Sequence, residues 1–159
     1  MITNVKISGL GGMGVLSCAN ILGTVLFQKG YEVKKSEVHG MSQRGGSLCS
    51  DVRFGDEVFS PMIPIGEVDY LVALADEWKH LHTHELREGG KILSASLIDL
   101  DQLPTKKALN VAMLGVLSHY LEISEQDWID SLKSIFPEKL HAGNERAFFY
   151  GKTRASEIL

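Results

Sequence analysis

A chain of 159 residues is long enough for one domain, residues 1–159, that buries about two-thirds of the surface its unfolded form exposes. Its formal charge of −4, with acids and bases interspersed, excludes the basic stripe that a nucleic-acid backbone or an anionic membrane would select. Two cysteines, Cys18 and Cys49, without a C-x-x-C pair exclude a four-cysteine iron–sulfur or zinc site built from this chain alone, and small buried thiols are expected instead.

The N-terminus MITNVKISGLGGMGV lacks the charged and apolar regions of a signal peptide, and no apolar run approaches the ~20 residues that span a bilayer. A soluble, cytoplasmic protein is expected. NVKISGL reads as a strand through Val5 and Ile7 and ends in glycines. The following GVLSCANILGTVLFQKG places Val15, Leu16, Ala19, Leu22, Val25 and Leu26 at helical spacing, with Gly30 as a stop. YEVKKSEV completes a βαβ unit with two parallel strands. SLCSDVRFG and EVFSPMIP read as a hairpin across a Gly-Asp turn, closed by Pro61 and Pro64.

DYLVALA is a continuous apolar run suited to a strand buried on both faces, EWKHLHTHELR reads as a helix, and EGGKILSAS as a further strand. In the last third, KKALNVAMLGVLSHYLEI and SEQDWIDSLKSIF read as helices, the second capped by Ser124 and ended by Pro137. A short closing helix is expected from Asn144 to Tyr150. The expected fold is α/β: a Rossmann-like open, mostly parallel sheet with an inserted β-hairpin and a helical C-terminal third.

Gly9-Leu10-Gly11-Gly12-Met13-Gly14 fits G-x-G-x-x-G between strand and helix. Gly9, Gly11, Gly12 and Gly14 there permit a tight turn and close helix packing, and they leave helix N–H groups free for a phosphate or carboxylate. The residues expected near the end of the second strand are Lys34, Lys35 and Ser36 rather than a ribose-binding acid, which weakens an NAD site. Lysines suit the extra phosphate of NADP or coenzyme A, but equally suit a solvated strand end.

A second run, EVHGMSQRGGS, leaves the same sheet edge and delivers His39, Ser42, Gln43 and Arg44 with the glycines Gly45 and Gly46. Both loops are expected to line one crevice. Asp76, at the end of DYLVALA, reads as the N-cap of the helix from Glu77 or as a crevice residue. His80, His82 and His84 read as an exposed polar helix rather than a metal site, because three ligands from one helical turn do not converge. Trp128 and Phe136 share a helix side and read as core or as a partner-facing patch. No catalytic or metal-ligating residue is expected on this chain.

The stretches GLGGMGV, KKSEVHGMSQRGGSLCSDVRFG, DYLVALA, NVAMLGVL and FPEKLHAGNERAFFYG together resemble the gamma-type subunit or domain of 2-oxoacid:ferredoxin oxidoreductases, over nearly the whole chain. EVHGMSQRGGS is the most specific of them and resembles the beta subunit of the indolepyruvate branch. The resemblance implies coenzyme A-dependent oxidative decarboxylation of an aryl 2-oxoacid, with ferredoxin as electron acceptor. It also implies a large alpha subunit that carries thiamine diphosphate, magnesium and 4Fe–4S clusters. No cofactor of its own is expected on this chain, apart from a contact to coenzyme A through the glycine turn and the run from His39 to Gly46. Gly55-Asp56-Glu57 is not the G-D-G start of a thiamine diphosphate motif. The alternatives are the pyruvate or 2-oxoglutarate counterpart and, from another class, a stand-alone NADP- or nucleotide-binding reductase.

Overall fold

The computed structural model describes residues 1–39 and 46–159. Five strands form one sheet: β1 (Ile2–Leu10), β2 (Glu32–His39), β3 (Ser47–Gly55), β4 (Val68–Ala73) and β5 (Leu86–Ser94), in the order β2-β3-β1-β4-β5. β1, β4 and β5 pair in parallel, whereas β3 runs antiparallel to both β1 and β2. Four strands therefore share one direction and β3 alone opposes it, which makes an α/β open sheet with a hairpin built into it.

Register divides the sheet into two unlike faces. Val5 and Ile7 of β1, Val52 and Phe54 of β3 and Val72 of β4 lie on one side, because directly paired residues share a face. That side receives α1 (Val15–Gln28), whose Cys18, Ile21, Leu22, Val25 and Leu26 are buried in the same core. It also receives α2 (Leu109–Ser118), every residue of which is buried. Behind them lie α3 (Glu125–Ile135) and α4 (His141–Ile158), with Trp128 fully buried and its ring 5.6 Å from Phe148. α2 and α4 cross closely. A Cβ at Gly151 would meet the carbonyl of Ala112, whose carbon would lie 2.7 Å away, and one at Gly115 would meet that of Phe148.

The other face carries Asn4, Lys6, Ser8, Asp51 and Arg53, all buried, beneath two stretches without regular helices, residues 56–66 and 76–85. Arg53 donates to the carbonyls of Ser60 and Met62 at 3.0 Å, and Asp51 accepts from the Ile63 amide at 3.4 Å, so the first stretch is strapped down from beneath. Glu85 ties the second, with its carboxylate 3.1 Å from the Lys6 ammonium.

Three expectations change. The hairpin consists of β2 and β3, and EVFSPMIP forms no strand: Pro61 and Pro64 donate no ladder hydrogen bond, and the Val58 amide is spent on the Glu32 side chain at 3.0 Å. β1 and β2 do run in the same direction, but β3 lies between them. EWKHLHTHELR is not a helix. It makes two 3-10 turns, Asp76–Leu81 and Thr83–Glu85, none of whose residues is buried, and its last two residues already belong to β5. The closing helix is longer than expected, His141–Ile158 instead of Asn144 to Tyr150, and Gly151 within it is where α2 passes.

Candidate functional site at the carboxyl edge of the sheet

The glycine turn leaves the carboxyl end of β1, the central strand. Leu10 accepts from the Met13 amide at 3.1 Å, and Gly12 and Gly14 hold φ of 87° and 80°, which other residues adopt only with strain. Gly14 then stands immediately before α1 in the left-handed conformation, without a side-chain cap, and the first turn of the helix carries no acid. The end of α1 thus keeps the uncompensated positive pole of its backbone dipoles.

The four glycines have different reasons to be glycine. A Cβ at Gly9 would meet Val15 Cγ2 at 2.9 Å and Leu74 Cβ at 3.3 Å, so Gly9 is required by packing. Gly14 is required twice, by its φ and by the Asn110 side chain, whose amide carbon would lie 3.0 Å from a Cβ there. Gly12 is required by φ alone. Gly11 is required by nothing among the described residues: it is exposed, its φ is not positive, and a Cβ on it would have none of them within 4 Å. Room beside an exposed backbone, at the N-terminus of a helix without acids, is what an anionic group from outside the chain can use.

Asn110 was not visible from the motif. Its Nδ2 donates to the Gly14 carbonyl at 3.2 Å from 96 residues away, and it fixes the turn against the first turn of α2. The only sequence signal was a polar residue in an otherwise apolar helix.

The second run enters the same edge. His39 ends β2 opposite Leu48 of β3, Leu48 lies opposite Gly9, and Ser47 lies opposite Leu10, so His39, the chain after Gly46 and the glycine turn form one row. His39 is exposed and Gly46 directly precedes β3. Ser42, Gln43, Arg44 and Gly45 lie outside the described residues. Asp76 follows β4 at this edge too. It sits inside its turn rather than capping it, and hydrogen bonds from Lys79, at 2.7 Å, and from Ser94 hold its carboxyl below the usual range.

The lysines do not reach this edge. Lys34 and Lys35 fall early in β2, opposite Arg53 and Val52, where Lys35 donates to Asn20 of α1 and Lys34 pairs with Glu32 at 3.5 Å. Because β3 separates β2 from β1, the end of the second strand also lies two strand spacings, ~10 Å, from the glycine turn instead of one. The ribose and extra-phosphate contacts of a dinucleotide reductase thus lose their geometric basis.

The two cysteines are separated by the sheet: Cys18 faces the helical core, where burial pushes its thiol well up, while Cys49 lies on the other face, 3.9 Å from the Lys6 ammonium. His82 bonds Glu85 at 2.8 Å, and no group of three metal-ligating side chains occurs among the described residues. A cavity of about 920 Å³ opens at the opposite, amino edge between Asn4, Arg53, Glu67, Asp69 and Arg87, away from the glycine turn. No helix among the described residues is long and apolar enough to cross a membrane.

Comparison with known proteins bears on this edge. The sequence pattern of the pyruvate ferredoxin/flavodoxin oxidoreductase family matches residues 4–107, which include the glycine turn and the run after β2. The indolepyruvate oxidoreductase subunit IorB of Thermococcus kodakarensis is 35% identical over 144 residues, covering 89% of this chain and 69% of that protein. Among solved structures, the gamma subunit of a keto/oxoacid ferredoxin oxidoreductase from Geobacter sulfurreducens superposes with a TM-score of 0.83 at 22% identity, covering 98% of this chain and 99% of that one. A 2-oxoglutarate:ferredoxin oxidoreductase from Magnetococcus marinus, with 2-oxoglutarate, coenzyme A and succinyl-CoA bound, gives 0.78 at 20% identity over 99% of this chain and 32% of the larger one. At such identities the two structures establish the fold.

Proposed function

Because the chain belongs to the pyruvate ferredoxin/flavodoxin oxidoreductase family, as a subunit type of the 2-oxoacid:ferredoxin oxidoreductases, we propose that it is the gamma-type, single-domain subunit of an indolepyruvate:ferredoxin oxidoreductase. In this reading a large alpha subunit carries thiamine diphosphate, magnesium and 4Fe–4S clusters, which supply decarboxylation of the aryl 2-oxoacid and electron transfer to ferredoxin. The present chain completes the site and helps hold coenzyme A, the acyl acceptor. The indolepyruvate branch is favoured by the 35% identity to IorB, and the acyl acceptor by the coenzyme A in the Magnetococcus enzyme of the same fold.

Gly11 is the observation that carries the coenzyme A contact. Its exposed backbone, the N-terminus of α1 and the left-handed Gly12 and Gly14 offer N–H groups and a positive dipole end to a phosphate, and among the described residues no side chain lies within 4 Å of a Cβ built on Gly11. The run from His39 through Ser42, Gln43, Arg44, Gly45 and Gly46 starts and ends in the same row of the sheet. In this reading it brings His39 and Arg44 to the same anion or to the alpha subunit, and Arg44 suits a phosphate through its planar donors.

The large partner takes the non-helical side of the sheet. Phe59 and Ile65, 83% and 76% exposed, stand on one covering stretch with Met62, and Trp78 and Leu81 on the other. Clustered exposure of this kind is where a stable partner contributes its own apolar surface.

The test is made on the assembled enzyme, purified anaerobically through a tag on this chain. A large companion with iron, sulfide and thiamine diphosphate is expected, together with faster oxidation of indolepyruvate than of pyruvate or 2-oxoglutarate. Gly11→Val, which meets nothing inside the fold, should leave the thermal midpoint unchanged and raise KM for coenzyme A at least about tenfold, which is ~1.4 kcal/mol of lost binding. Arg44→Ala should lower activity with the fold intact. A Gly11→Val enzyme with normal KM for coenzyme A removes the acyl-acceptor role from the turn, and a lone chain with bound nucleotide sinks the subunit reading.

A further inference from the structure

The two edges of the sheet are finished differently. At β5, Gly89 takes φ 78° and the pairing with β4 slips between Val68 and Tyr70, so that edge is bulged and offers no regular template. At β2 the ladder with β3 is unbroken from Glu32 to His39, without bulge, proline or left-handed residue. β2 is an outermost strand, and four of its last five residues, including Val38 at 49%, are exposed. Such a strand presents a free row of N–H and C=O groups to another strand.

We propose that β2 is a homotypic interface, on which β2 of a second copy of this chain pairs antiparallel and joins the two sheets into one. The charges of the strand select this occupant. A two-fold axis through an antiparallel pair stands perpendicular to the sheet and keeps the helices of both copies on one side. Opposed residues must then share a face, so the axis passes through a residue position and never between two.

Centred on Lys35, the pairing opposes two ammonium groups, and centred on Glu37 it opposes two carboxylates. Centred on Ser36, it opposes Lys35 to Glu37 of the copy, and by symmetry Glu37 to Lys35, on the face that carries the helices. Two cross-strand ion pairs flank the axis and like charges meet nowhere along it. The strand is self-complementary in this register.

Ser36 supplies an independent observation. Its hydroxyl is buried and has no hydrogen-bond partner among the described residues, an unusual state for a polar group. On the axis opposed Cβ atoms lie ~4.5–5.5 Å apart, and a turn of the Ser36 side chain about χ1 toward the seam brings its hydroxyl within reach of its symmetry mate, so that one O–H donates to the other. Lys35, whose present contact is the neutral amide of Asn20, gains a carboxylate. Centring on Val33 also opposes Glu32 to Lys34, but it leaves Lys35 to His39 outside the ladder, whereas the register centred on Ser36 pairs opposite charges along the strand and places the unpartnered hydroxyl on the axis.

The experiment is a charge swap on the full chain, followed by sedimentation equilibrium and native mass spectrometry across a concentration series, with circular dichroism as a check on folding. The wild type is expected to form a dimer. Lys35→Glu and Glu37→Lys should each weaken it at least tenfold, because each surrounds the axis with four like charges, and the double variant K35E/E37K should restore it. If Lys35→Glu disturbs the fold by losing Asn20, the exposed Glu37→Lys, which keeps Lys35 on Asn20, carries the test. A monomer at all concentrations, a dimer indifferent to both reversals, or a double swap that fails to restore pairing overturns the proposal. Loss of the large subunit instead of the homodimer on reversal also overturns it. None of these outcomes bears on the coenzyme A reading of the glycine turn.

Discussion

The two faces of the sheet solve burial in opposite ways. On the helical face Val5, Ile7, Val52 and Val72 meet α1 and α2, and the layer behind adds Trp128 and Phe148, so apolar area is removed from water by apolar neighbours. On the other face the buried residues include Asn4, Lys6, Asp51 and Arg53 beside a small apolar cluster of Leu71 and Ile63, and what covers them carries Phe59, Ile65 and Trp78 outward. A chain that folded only for itself would gain by reversing that arrangement. The difference teaches that one face is completed by the chain, whereas the other sets an apolar exterior over a polar layer, the arrangement on which the proposed partner contact rests.

The sharpest way to break the contrast is to remove the cation on the polar face. Lys6 lies 2.6 Å from Asp51 and 3.1 Å from Glu85, with side chains 6%, 7% and 16% exposed. Lys6→Met leaves two carboxylates without their partner and should cost about 3–5 kcal/mol in chemical denaturation, whereas a similar loss of charge at exposed Lys133 should cost almost nothing. The same contact predicts a pH signature. Burial raises the Glu85 carboxyl, but hydrogen bonds from His82 and Lys6 overcome it and hold it below its ordinary 4.5. Its contribution is therefore present above that value and is lost as pH falls through the folded-state pKa, so Glu85→Gln should flatten the acid limb of the stability profile.

On the helical face the corresponding weak point is steric. Gly151→Val forces a side chain into the carbonyl of Ala112 and should cost about 1–3 kcal/mol, read as a lower denaturation midpoint with unchanged m-value. The smallest effect on stability is expected where the proposed partner sits: Trp78→Ser should change unfolding by no more than about 0.5 kcal/mol. It should nevertheless reduce the amount of large subunit recovered with the tagged chain, and full recovery would count against this face as the docking surface.

Much of the fold was legible because the relevant signals are local. Apolar spacing marked α1 and α2, the continuous run marked β4, and Ser124 marked the start of α3, where its Oγ accepts from the Asp127 amide at 3.1 Å. What failed depended on partners distant in sequence. EVFSPMIP alternates like a strand, yet the free ladder positions beside β3 are taken by β1 and β2. EWKHLHTHELR has helix-forming residues but no apolar stripe to bury, and tight turns suffice. The glycine turn was legible as a motif, but only the three-dimensional arrangement separates Gly9 and Gly14, which the fold needs, from Gly11, which it does not. Asn110 and the Lys6–Asp51–Glu85 cluster had no motif at all, since strand register and helix docking create them.

The reversal of β3 also sets a timetable for the growing chain. β1 is the central strand of the sheet and the first element made, yet Lys6 meets Asp51 only after 45 further residues have been added. At ~5–20 residues per second that is roughly 2–9 s during which Val5 and Ile7 have no strand beside them. The β2–β3 hairpin closes over a short separation and becomes the template to which β1 is added, followed by β4 on its other side. Biosynthesis thus leaves the central strand waiting longest, and the nascent chain is most vulnerable to aggregation before Gly55 has left the ribosome.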